Sequence, residues 1–201
     1  MGGCAEPVTD PGLIPTPARW DGRHRDAPAW SAALLVSLRS TGAPLLRSRP
    51  ADRAAFCPRH DHLSPEERAA VWLMLFSAVA ELESGFRPGH THRESFTDDF
   101  GRPVISRGLL QTSFESTRHY DCDHASAEDT HNPVRNLSCG VRIMTHHVER
   151  EGRIGGTPAT PASGGGAYWA VLRPGHRERP LERIQARTAA HPLCRPAPAG
   201  R

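Results

Sequence analysis

SPEERAAVWLMLFSAVAELESGF, residues 64–86, is a helix with both of its ends written into the sequence. Ser64 offers a hydroxyl as N-cap, Pro65 suits the first helical position, and Glu66 and Glu67 fall in the positively polarised first turn. Ser64 and Glu67 also have the spacing of a capping box. Ser84-Gly85 closes the helix, because glycine accepts the left-handed residue that ends many helices. Trp72, Phe76 and Val79 recur at helical spacing, with Leu75 and Leu82 beside them. Glu83 continues that apolar line, whereas Glu81 shares the azimuth of Ser77 and Met74. A carboxyl on a buried stripe has its charged form disfavoured, so Glu83 is expected to hold a proton near neutral pH. The other reading of the same residue is a structural ion pair with one of the many arginines.

The rest of the composition narrows the classes. At 201 residues the chain has room for one domain with a real core, plus tails. The formal net charge is +3 and every basic residue is arginine. The arginines are scattered and no basic run is interleaved with aromatics, so no nucleic-acid partner is indicated. No segment has the apolar length of a membrane span, and the opening MGGCAEPVTDPGLIPTP lacks the apolar core of a signal peptide. The expectation is therefore a cytoplasmic protein, or an exported one whose signal lies outside this sequence.

Cysteine spacing favours export. None of the five cysteines forms a C-x-x-C pair, so zinc-ribbon and thioredoxin-like motifs do not arise. Cys57, Cys122, Cys139 and Cys194 can make two bridges, which implies an oxidising compartment. Of three connectivities, Cys122–Cys139 would close a short loop and Cys57–Cys194 would tie the ends of the domain; four reduced, buried thiols are the alternative. Cys4 is the odd one, either a lipid-bearing residue giving membrane association or a surface thiol. The pairs His60/His62, His90/His92 and His146/His147 are not accompanied by H-E-x-x-H or a matching Cys/His spacing, so neither a metal nor a cofactor is expected.

In chain order, residues 1–27 read as a loose leader and 28–194 as the domain, with its core in 57–173 and a tail at 195–201. Ala29–Arg39 is a short amphipathic helix. Residues 87–103 form a polar connection of the length that is usually functional. Residues 104–113 are partly apolar around Gly108 and lead into a helix over about 113–119. Asn132-Pro133 starts a further helix that buries Leu137, Val141, Ile143, Met144 and Val148. Residues 152–166 (GRIGGTPATPASGGG) have the composition of a flexible linker. AYWAVLR, residues 167–173, resumes packed structure, and 181–187 is a last short helix. The fold class is mainly α, with a very small sheet or none.

Four landmarks then stand in order: Glu83-Ser84-Gly85-Phe86; Gly108-Leu109-Leu110-Gln111; Asn132-Pro133 through Asn136-Leu137 to Gly140; and Ala167-Tyr168. This pattern resembles the lytic transglycosylase domain of the lysozyme-like superfamily, over roughly residues 57–173. The resemblance implies a lysozyme-like single domain, most simply a monomer, acting on peptidoglycan glycan strands in the periplasm or outside the cell. It implies Glu83 as the single acid and base that cleaves the β-1,4 bond between N-acetylmuramic acid and N-acetylglucosamine, leaving a 1,6-anhydro end. It implies that Gly108, Leu109, Leu110 and Gln111 line the sugar cleft, that Tyr168 lies near Glu83, and that Ser84 and Ser106 are its polar neighbours. Trp169 departs from the family's A-Y-N motif and leaves the local hydrogen bonding open. A hydrolytic lysozyme on this fold would need a second carboxylate, for which Glu94, Asp98 and Asp99 are the candidates. A wall-binding module without activity is the third possibility.

Overall fold

The computed structural model describes residues 14–195, and Cys4 lies outside them. Seven α-helices are present among these residues: α1 (Ala27–Arg39), α2 (Ala43–Arg47), α3 (Arg53–Phe56), α4 (Pro65–Ser84), α5 (Phe114–His119), α6 (Pro133–Glu151) and α7 (Pro180–Ala189). One three-stranded antiparallel sheet, β1 (Thr91–Thr97), β2 (Pro103–Arg107) and β3 (Thr112–Ser113), runs in that order between α4 and α5. The architecture is lysozyme-like and mainly helical.

The ends of α4 follow local chemistry. Glu67 N–H donates to Ser64 Oγ (3.3 Å), Ser64 N–H donates back to Glu67 Oε2 (2.7 Å), and Gly85 ends the helix at φ 59°. Its middle is less amphipathic than the Trp72–Phe76–Val79 line suggests. Every residue from Arg68 to Ala80 is buried, because the small side chains at 69, 70, 77, 78 and 80 let α1, α2 and α7 close around the helix. Outside that run α4 emerges at its first turn, where Pro65 and Glu66 are exposed, and again at half-buried Glu81–Glu83. Asn132 caps α6 by accepting from Val134 N–H (3.0 Å) and Arg135 N–H (3.2 Å).

Three readings of the sequence are corrected. First, the leader is not loose throughout. Trp20 is fully buried, edge-on to Trp30 (5.7 Å) and Phe86 (6.3 Å), and donates its indole N–H to Ser31 Oγ (2.9 Å). One large anchor outweighs the polar composition around it. Second, the glycine-rich stretch 152–166 is packed. Asp52 accepts from Ile154 N–H and Gly155 N–H, each at 2.8 Å, and Glu151 accepts from Gly164 N–H at 2.8 Å. A Cβ at Gly156 would run into the carbonyl of Pro161, so glycine here serves close approach of backbones and not flexibility. Third, the polar connection after α4 is a β-hairpin. Thr91 pairs with Arg107, His92 with Ser106 and Arg93 with Ile105, before an irregularity ahead of the Thr97–Pro103 pair. All of β1 is solvated except half-buried Glu94, so it carries no alternation of apolar and polar residues by which a strand is read.

Two disulfides join Cys57 to Cys194 and Cys122 to Cys139. No helix among the described residues is long and apolar enough to cross a membrane.

Candidate active site

The end of α4 brings two carboxyls to opposite fates within one turn. Glu81 is held by Arg19 (2.9 Å), Arg23 (3.0 Å) and Arg187 (3.0 Å), which come from both ends of the described chain. Burial alone would push its pKa up, but the Arg19 hydrogen bond and the three positive charges outweigh that and hold it below the usual range. Glu83 has no salt bridge or hydrogen bond among the described residues. Burial first, and then the negative charge of Glu94, push it up to about 8. A pair of carboxyls driven apart in this way separates a fixed charge from a proton donor.

Glu83 opens into a cleft of about 820 Å³ walled by the hairpin, α5 and residues 167–173. Across it stands Glu94, whose Oε1 accepts from Ser106 Oγ at 2.6 Å. Tyr168 completes the near wall; its hydroxyl accepts from Ser113 N–H (3.1 Å), and its ring packs edge-on to Tyr120 (5.9 Å). Tyr120 also lines the cleft and shares a hydrogen bond with His147 Nε2 (2.9 Å). Neither Tyr120 nor His147 carries a local sequence signal, because their partnership joins α6 to the residue that follows α5.

The expected sugar-contacting residues divide into two sets. Ser106, Gln111 and Tyr168 line the cleft with Glu83. Ser84, Gly108, Leu109 and Leu110 do not; they are buried behind it. Ser84 Oγ donates to the carbonyl of Leu109 (2.9 Å), fastening the helix end to the turn that presents Gln111. Gln111 adopts φ 47° and donates Nε2–H to the carbonyl of Gly108 (2.8 Å), while its buried Oε1 has no donor among the described residues. Asn136 holds the same turn from below, accepting from Leu110 N–H (2.8 Å) and donating to Thr112 Oγ1 (2.9 Å) and the carbonyl of Thr130 (2.9 Å). Trp169, where the motif departs from the family, is buried and donates its indole N–H to the carbonyl of Leu110 (2.8 Å). The departure therefore keeps a polar hold on the Gly108–Gln111 turn.

Gly108 sits at φ 77°, and a Cβ there would lie 2.6 Å from Asn136 Nδ2 and against the Thr130 carbonyl. Gly108→Ala is expected to cost about 3 kcal/mol, since it combines a left-handed backbone with a displaced buried amide. Urea unfolding measures that loss, and a fall in glycan cleavage beyond the unfolded fraction would show Gln111 moved.

Among the described residues, one group of potential metal ligands clusters, Cys122, His124 and Cys139. Its two sulfurs are spent on the disulfide.

A mainly helical domain with a protonated acid at the end of its central helix, facing a cleft beside a small sheet, belongs to the lysozyme-like glycan-cleaving proteins. The family model described as the transglycosylase SLT domain matches residues 63–173, more than half of the chain, and the chain belongs to that family. SLT domains act on peptidoglycan as lytic transglycosylases. No curated protein matches the chain. Among solved structures, Bd0314 DslA in its wild-type form 2 is 38% identical with a TM-score of 0.84, covering 90% of this chain and 98% of that one. Two glutamate-to-glutamine mutants of the same protein, at its positions 143 and 154, match at 38% and 37% identity with TM-scores of 0.84 and 0.83. Each covers 89% of this chain and 97% of its own.

Proposed function

We propose that this chain is a lytic transglycosylase in which Glu83 alone supplies acid and base. The supporting observation is a carboxyl kept uncharged up to about pH 8 on the wall of the glycan-sized cleft. Protonated Glu83 gives its proton to the glycosidic oxygen between N-acetylmuramic acid and N-acetylglucosamine. The substrate's own N-acetyl oxygen stabilises the positive centre that develops at C1. Glu83, now ionised, takes the proton of the muramyl C6 hydroxyl, whose oxygen attacks C1 and closes the 1,6-anhydro ring. Each turnover returns Glu83 to its protonated form, so a pKa near the working pH serves both halves. Two disulfides suit the periplasm or the outside of the cell as the place of action.

Mass spectrometry of products from purified sacculi tests the reading, with anhydro-muramyl ends as the expected result and reducing ends as the contrary one. The descending limb of the rate profile is expected near pH 8, where Glu83 loses the proton it must donate.

Glu94 favours a second reading, hydrolysis by a two-carboxylate muramidase. It faces the same cleft and raises the pKa of Glu83. The two mutated glutamates of Bd0314 DslA are eleven residues apart, as Glu83 and Glu94 are. In the transglycosylase reading Glu94→Gln leaves cleavage in place and moves its descending limb to lower pH, because a negative neighbour of Glu83 is gone. In the hydrolase reading the same substitution removes activity at every pH.

A further inference from the structure

A second groove of about 390 Å³ meets the glycan cleft at a shared wall, Ala170 and Val171. It begins at Leu82, the residue before Glu83 on α4, and ends at Arg177 and Arg183. Both arginines are exposed, and neither has an ion pair among the described residues; Glu178 is the one acid in the groove's lining. The glycan cleft has the opposite balance, with Glu94, Asp98, Asp99 and Glu115 against the one arginine, Arg173, along its walls.

We propose that this second groove takes the acidic peptide stem of peptidoglycan, an inference that rests on the glycan cleft having been read correctly. In peptidoglycan the stem hangs from the lactyl ether on C3 of the muramic ring, two carbons from the C1 whose bond breaks. A ring with C1 at Glu83 therefore carries its stem within a few bonds of the cleft wall. The acids of the cleft repel the stem's carboxylates, and the arginines beyond Ala170 and Val171 attract them. The apolar floor at Leu82 and Val171 suits the alanine side chains of such a peptide. The glycan is then gripped by the cleft, and the stem chooses which muramic residue is presented to Glu83.

The test uses Glu83→Gln protein, which leaves ligand uncleaved, titrated calorimetrically with soluble glycan fragments that carry or lack stems. Stem-bearing fragments are expected to bind about tenfold more tightly, the scale of a few exposed charge pairs. Arg177→Glu with Arg183→Glu is expected to erase that difference, as is high salt, while the affinity for stripped fragments stays the same. Equal binding of the two fragments by the Glu83→Gln protein, or a preference that survives both the double substitution and high salt, overturns the proposal. Cleavage assays on the parent chain separate the two ideas. Stem-dependent binding without glycan cleavage keeps the groove and removes the transglycosylase reading; cleavage with no stem preference does the reverse.

Discussion

Glu83→Gln is expected to reduce release of soluble muropeptides from sacculi by about 10³-fold or more, as the role proposed for Glu83, the single donor and acceptor of the proton, requires. The amide has nearly the shape of the protonated acid, so the cleft keeps its form and ligand binding survives. The same substitution has a second, opposite signature in stability. The folded pKa of Glu83 lies near 8, above its ordinary value of 4.5, so the folded state binds the extra proton between those limits. Stability of the parent chain therefore falls as pH rises from about 4.5 to about 8, relative to Glu83→Gln, at up to about 1.4 kcal/mol per pH unit. Thermal unfolding of both proteins across that range checks this, with the glutamine variant the more stable at pH 8. Parallel curves would mean that Glu83 is not desolvated. Wild-type muropeptide release by the variant would remove the mechanism.

The second large effect lies away from the cleft. Cys57–Cys194 closes a loop across a sequence separation of 137 residues and sits in a small apolar cluster with Leu63 and Val71. Loop-closure entropy assigns such a bridge about 5 kcal/mol, against about 3 kcal/mol for Cys122–Cys139, whose separation is 17. Cys57→Ala with Cys194→Ala is accordingly expected to lower the midpoint of thermal unfolding by about 10 °C or more. Neither cysteine lines the cleft, so the rate of glycan cleavage in the cold is expected to stay within about twofold of the parent, as for changes remote from a site. Replacement of Cys122 and Cys139 should cost less; the reverse order would show that the bridges do not act through the unfolded chain.

What the sequence discloses here is what short-range chemistry decides. Ser64, Pro65, Glu67 and Gly85 mark the ends of α4, and Asn132-Pro133 the start of α6, through groups that act on their own neighbours. The first strand of the hairpin escapes because both of its faces meet water, while the second buries only Val104 and Ser106. Trp20 and the stretch 152–166 escape because their partners, Trp30 and Phe86 for one and Asp52 for the other, are distant in sequence or weakly patterned. The choice of Glu83 over Glu81 is instructive. The apolar stripe points to Glu83, yet α4 is buried around nearly its whole girth, so azimuth alone does not separate the two acids. Their difference is made by Arg19, Arg23 and Arg187, none of which is near α4 in the chain.

The hairpin that carries Glu94 hangs outside the core, with one edge in solvent and a single half-sheltered side chain along its first strand. Residues there can be exchanged, inserted or deleted at little cost to the interior, whereas almost any change around α4 disturbs several helices at once. The two walls of the cleft are thus under unequal constraint: the acid proposed as proton donor is fixed in a beam hemmed in by other helices, and the surface opposite it is a replaceable jaw through which new glycan preferences can be acquired without rebuilding the fold.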